Sequence, residues 1–211
     1  MHKFTDIRMA VISLAILVSV SCTEKLERDW KQFEPYTEHF NLAEIDADGN
    51  EYLEVSAVKS ISKSDVEKYV IGNGWKSVAV YELDKNKDVA GVWELKDDLP
   101  LINEQTLHDC FEVKGFGENQ LIQYGLLDGR YEDLDFAYDE NDNSISLDAC
   151  WFVAHNGKLV FLSDDVMVCV DGKEWVAEGR NPYVFMVVFE RVSKSTLRDW
   201  RRQCPNPRLW I

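Results

Sequence analysis

The sequence predicts a mainly β protein: antiparallel strands forming a barrel or sandwich, with one short helix before them and one behind. Three observations carry this. From Trp75 to Val192, β-branched and aromatic runs alternate with turn residues at short, regular spacing. Within those runs apolar residues recur every second position, the mark of strands with one buried face. Helix signals then bracket the β region, at Ser64–Glu67 and at Thr196–Cys204 before Pro205. With 211 residues, 45% apolar content and seven Trp, the chain has material for one well-filled core plus appendages. Its formal charge is −15. Such a surface repels phosphate backbones and anionic headgroups, so nucleic acid and electrostatic membrane docking are not expected.

Residues 1–21 have a basic start, Lys3 and Arg8, followed by the apolar run from Met9 to Val20. That run is short for a membrane-spanning helix and suits a secretory signal peptide. It ends at Ser19-Val-Ser-Cys22, where a small residue precedes a lone Cys, and this resembles the lipobox of bacterial lipoproteins, with Ser19 in place of the common Leu. The resemblance implies cleavage before Cys22, diacylglyceryl modification of its thiol and acylation of its amine. Two or more acyl chains, at about 0.8 kcal/mol per buried CH₂, give stable anchoring. Residues 22–63 read as a tether and N-terminal elaboration. Glu24-Lys25 resembles the surface-export signal that follows the lipid Cys in Bacteroidetes, yet the periplasmic face and the cell surface fit equally. Within this stretch, Phe40–Ile45 and Glu51–Ser56 flank a turn at Asp46–Asn50 and suit a hairpin.

Residues 64–211 are the expected main domain. Ser64 and Glu67 fit a capping box for a helix over 64–71, with Val66, Tyr69 and Val70 on one stripe. Gly72 and Gly74 can take positive φ, so the helix stops there and a strand starts at Trp75. Strands are expected near 75–83, 89–96, 109–116, 120–127, 131–138, 144–154, 158–163, 165–171 and 183–192. Asn156-Gly157 and Asp171-Gly172 are strong hairpin dipeptides. Leu134, Phe136 and Tyr138 should share a face opposite Asp133, Asp135 and Ala137. Ile145, Leu147, Ala149, Trp151 and Val153 should oppose Ser146, Asp148 and Cys150, and Tyr183, Phe185, Val187 and Phe189 line up as well. Thr196 can cap the last helix, whose Leu197, Trp200 and Cys204 form an apolar face against the β structure.

Gly74-Trp75, opening the first strand after a short helix, is similar to the Gly-x-Trp start of lipocalins, and Arg191 stands near the end of the last strand where lipocalins place an Arg against that Trp. With the lipobox and the run Leu159–Val170, the chain resembles the lipocalin-like lipoproteins of Bacteroidetes over residues 64–192. The resemblance implies an up-and-down barrel of about eight strands whose interior takes a small apolar ligand.

Chemistry is sparse. Cys110, Cys150, Cys169 and Cys204 allow three disulfide pairings, and none sits in Cys-x-x-Cys. Asp46/Asp48/Asn50, Asp84/Asn86/Asp88 and Asp139/Asn141/Asn143 have the opening spacing of a calcium loop but lack its sixth-position Gly with a twelfth-position acid, and Asp and Asn also favour turns for backbone reasons. His108, Asp109 and Cys110 are consecutive, so on a strand they face alternate ways. His39 and His155 have no partners at metal spacing, and no nucleophile elbow, zinc helix or phosphate loop is present. No metal, cofactor or catalytic residue is expected, and the chain reads as a non-enzyme. The first reading is an outer-membrane, lipid-anchored barrel holding a small apolar or amphiphilic ligand. The second is an interaction module that docks a protein or glycan, suggested by aromatic residues near turns (Tyr131, Trp175, Tyr183).

Overall fold

The computed structural model describes residues 34–47, 50–94, 109–150, 153, 157–171 and 182–208. Contacts divide the chain into residues 1–37 and 38–211, and the account below concerns the second unit. The signal peptide and Cys22 lie outside the described residues, as do His108, Trp151, His155, Trp175 and Gly172.

The first pair of strands, β1 (Phe40–Ala47) and β2 (Asn50–Ala57), forms the expected hairpin, with Phe40 opposite Ala57 and Ala47 opposite Asn50. Helix α1 follows over Lys63–Tyr69. Its cap is Ser62, whose oxygen accepts from the Asp65 N–H, so the expected cap at Ser64 is corrected by two residues. The cause is tertiary. The Asn143 side chain accepts from the Ile61 N–H and the Glu140 carboxylate from the Lys63 N–H, fixing the chain on either side of Ser62. Gly72 does take positive φ (76°), and its N–H donates to the Val113 carbonyl. Gly74 does not, and is needed for another reason: a Cβ there would lie 2.8 Å from Val192 and 3.0 Å from Leu197.

The main sheet contains β3 (Gly74–Leu83), β4 (Val89–Glu94), β5 (Cys110–Val113), β6 (Gly117–Gly125), β7 (Arg130–Asp139), β8 (Ser144–Leu147), β9 (Gly157–Leu162), β10 (Val166–Asp171) and β11 (Val184–Arg191). From β5 to β11 each strand pairs antiparallel with its successor, β11 pairs with β3, and β3 pairs with β5. Eight described strands therefore close a ring. β4 shares an edge of β3 with β5, which takes Gly74–Lys76 while β4 takes Ala79–Leu83. The thinnest junction is β8 to β9, where only Ser144 with Lys158 and Ile145 with Gly157 are in register. The strand expected over 144–154 thus ends at Leu147. The chain turns at Asp148 and Ala149, and Cys150 is buried in the same core as Ile145 and Leu147 rather than on the opposite face.

The inner face is apolar and close-packed. Trp75, Phe111, Phe136 and Phe189 are wholly buried and join one cluster with Val66 and Val70, the buried stripe of α1, across one end of the ring. On β7 the alternation appears as expected: Phe136 is buried and Asp133, Asp135 and Ala137 are exposed. On β11 both faces are buried, Val184, Met186 and Val188 as well as Phe185, Val187 and Phe189. The hairpin lies outside the ring with β2 beside β9, its Phe40, Leu53 and Val55 buried. The His39 ring stands 4.9 Å from Phe161, and Lys87 in the β3–β4 turn donates to the Phe40 carbonyl.

Helix α2 (Lys194–Gln203) covers the outer face of β5 and β6, burying Leu197, Trp200 and Cys204 with Cys110, Ile122 and Tyr124. Its cap is Ser193, which accepts from the Thr196 N–H, so Thr196 is the third helical residue and not the cap. The short strand β12 (Asn206–Pro207) then pairs with the start of β7.

Candidate functional site

Two places bring polar side chains together in ways that structure alone does not require. The first is inside the ring. Ser77 follows Trp75 on the inner face of β3, and Asp109 stands opposite it at the start of β5: the Ser77 N–H donates to the Asp109 carbonyl and the Asp109 N–H to the Ser77 hydroxyl oxygen. The Asp109 carboxyl also takes hydrogen bonds from the Cys150 thiol and the Ser77 hydroxyl. Burial outweighs them and pushes its pKa up to about 6. No described cation pairs with it. As expected of consecutive strand residues, Asp109 turns inward while Cys110 turns outward beneath α2. Trp75 adds a second unusual group, since its Nε1 is buried without a hydrogen-bond partner, and a buried unpaired donor costs about 1–3 kcal/mol.

The second place is outside the ring, an open groove of about 760 Å³ between β2 and the β7–β8–β9 region. Consecutive residues from Tyr52 to Ala57 line one wall, so the strand presents its backbone edge there, and among the described residues β2 pairs with β1 alone, on its other side. The opposite wall carries Tyr138, Asp139, Asn141, Asp142, Ser144 and Ser146. Lys158 bridges Asp142 and Ser144, and its hydrogen bond to Asp142 is the main cause that holds that carboxyl down at about 2. The Tyr138 hydroxyl donates to the Ile61 carbonyl, and burial pushes its pKa up to about 12.

Of the three turns with the opening spacing of a calcium loop, Asp48 of the first lies outside the described residues. Asp84 accepts from the N–H groups of Asn86 and Asp88, and Asp139 accepts from that of Asn141, so these acids tie their own turns. Asn143 is buried, donating to the carbonyls of Lys59 and Leu159. No cluster of three metal-ligating side chains occurs among the described residues. Cys110, Cys150, Cys169 and Cys204 are all buried, and burial pushes the Cys169 thiol up. Arg191 pairs with Trp75 in the β11–β3 register. Its guanidinium binds Asp164 and Asp165 at 2.8 and 3.1 Å in the β9–β10 turn. Tyr131 and Tyr183 are half-buried, the first against the α2 cluster and the second edge-on to Phe185 at 5.3 Å. Both sites join residues far apart in sequence, Ser77 with Cys150 and Tyr52 with Asp142, and no spacing pattern reveals them.

Comparison with protein-family models, with characterised proteins and with solved structures finds no match.

Proposed function

We propose that this chain is a lipid-anchored, non-enzymatic protein of the cell envelope, carried by Cys22, in which a lipocalin-like barrel serves as scaffold and the outer groove docks a glycan. The observation that supports this is the contrast between the two candidate places. The described inner side chains are packed against one another, whereas the groove is open and lined with hydroxyl, amide and carboxylate groups beside Tyr52 and Tyr138. Its lining carries Glu54, Asp139 and Asp142 with Lys59 and Lys158, and Lys158 neutralises Asp142 directly, so the groove is polar with little net charge, which suits a neutral, hydroxyl-rich chain better than a charged one. The test is binding of the full chain to an array of envelope and host glycans, repeated with Tyr52→Ala and Asn141→Ala. Loss of a captured glycan in both variants supports the groove; a protein captured instead, or binding unchanged in both, removes the glycan reading.

A second reading, a small apolar or amphiphilic ligand held inside the barrel, rests on the unpaired Trp75 Nε1 and the Asp109–Ser77–Cys150 cluster. Native mass spectrometry after exposure to lysate separates the two readings: a retained small mass supports the carrier, and a clean mass with glycan binding intact supports the dock.

A further inference from the structure

The outer groove is closed at one end. Strand β2 follows one wall from Tyr52 to Ala57, about 17 Å at about 3.4 Å per residue. The Val58 N–H still donates to the His39 carbonyl, and the chain then leaves the hairpin and crosses to the β7–β8 turn. Side chains of the opposite wall and that turn fix it there. The Asn143 amide donates to the Lys59 carbonyl at 2.8 Å and accepts from the Ile61 N–H at 3.2 Å. The Tyr138 hydroxyl donates to the Ile61 carbonyl at 2.7 Å, and the Ser60 hydroxyl donates to the Glu140 carbonyl at 3.4 Å. Lys59 and Ser60, both groove-lining, therefore stand across the space where β2 and the turn converge.

The closed end is also the more polar. Asp139, Asn141 and Asp142 line it and are exposed, as is Lys59. Along β7 and β8, away from the turn, the wall passes to Ala137 opposite Ser146. Carboxylate and amide oxygens accept from sugar hydroxyls and an ammonium donates to them, so the groups that bind a hydroxyl-rich unit crowd toward Lys59 and Ser60.

We propose that the groove, on the reading that it docks a glycan, seats the non-reducing end of a neutral chain, with the terminal sugar against Lys59 and Ser60. A unit inside a glycan has neighbours on both sides, and one of them would meet the crossing segment. A terminal unit has a neighbour on one side only and so fits a groove closed at one end. It also keeps free the hydroxyl that an internal unit gives up to its second glycosidic bond, and the polar groups are placed to bind it. The reducing end of an envelope glycan is ordinarily bonded to its carrier, which leaves the non-reducing end as the free one.

The experiment measures binding of the full chain to neutral hexose oligosaccharides, α- and β-linked, graded in length from the disaccharide upward and immobilised through either end. Chains displaying the non-reducing end should bind about tenfold or more tighter than the same chains displayed the other way. Affinity should level off beyond the few units that the groove can hold. Ser60→Tyr, at an exposed position, should weaken binding about tenfold at every length, with an unfolding midpoint near that of the parent. Equal binding in both orientations, a cyclic glucan bound as tightly as its linear counterpart, or unchanged affinity in Ser60→Tyr would each overturn the terminal seat and leave glycan docking in place. Binding to no series in either orientation overturns glycan docking itself, and the terminal seat with it.

Discussion

Single side chains decide more here than their number suggests. Asn143 is buried in the β7–β8 turn, and its amide serves Lys59, Leu159 and Ile61 at once. Asn143→Ala leaves buried backbone groups unpaired, and we expect a loss of about 2–4 kcal/mol, read as a lower urea midpoint. Asp109 acts through pH. Its folded pKa, about 6, lies above its ordinary value of 3.8, so the folded state holds the proton more tightly than the unfolded chain. The stabilisation is then full below about pH 4, falls as pH rises toward 6 and is gone above it. Asp109→Asn should remove that part of the pH–stability curve, and a slope left unchanged would show that Asp109 does not titrate in this way. The sequence offered Asp109 only as a neighbour of His108 and Cys110. Its real partners, Ser77 and Cys150, lie 32 and 41 positions away, and only the ring closure brings them together.

At the scale of elements, α2 is fastened to the ring by one polar clasp and one close contact. Glu112 is 3% exposed on the outer face of β5; it accepts from Arg201 Nε at 3.0 Å and from the Tyr124 hydroxyl at 2.9 Å. Arg201→Ala leaves that carboxylate without its cation. Because the arginine is half exposed, we expect about 1–3 kcal/mol rather than the larger cost of splitting a fully buried pair. Gly74→Ala should cost about 1–3 kcal/mol by pushing Leu197 and Val192 away, and Leu197→Ala in the same chain should recover part of it, measured as a double-mutant cycle. The presence and order of the elements were readable from periodicity. Both helix starts were misplaced because Ser62 with Ser64, and Ser193 with Thr196, each offer a hydroxyl; at the first helix the tertiary bonds of Asn143 and Glu140 go with the cap at Ser62. The end of β8 at Leu147 was hidden too, because Ala149, Trp151 and Val153 continue the strand period after the backbone has turned.

For the whole molecule, the strand rhythm announced antiparallel pairing but left barrel and sandwich open. The pairing of β11 with β3 closes the strands into a ring, and no local signal marks a contact between Val184–Arg191 and Trp75–Leu83. If the envelope reading is right, Cys22→Ser should move the protein from the membrane fraction to the soluble fraction of fractionated cells; a chain that stays membrane-bound would remove the lipid anchor from the account. The two-pair junction between β8 and β9 has a mechanical meaning. A closed loop of strands gives way where the fewest bonds must break, and here Asn143 supplies a disproportionate share, since its carbonyl accepts from the Leu159 N–H while its side chain donates to the Leu159 carbonyl. The ring is a bracelet with its fastening at Asn143, and that fastening forms part of the groove wall. Under the docking reading, an occupant that contacts Asn143 would bear directly on this fastening, and stiffening of the ring on binding is the expected outcome, read as slower hydrogen exchange across β8 and β9.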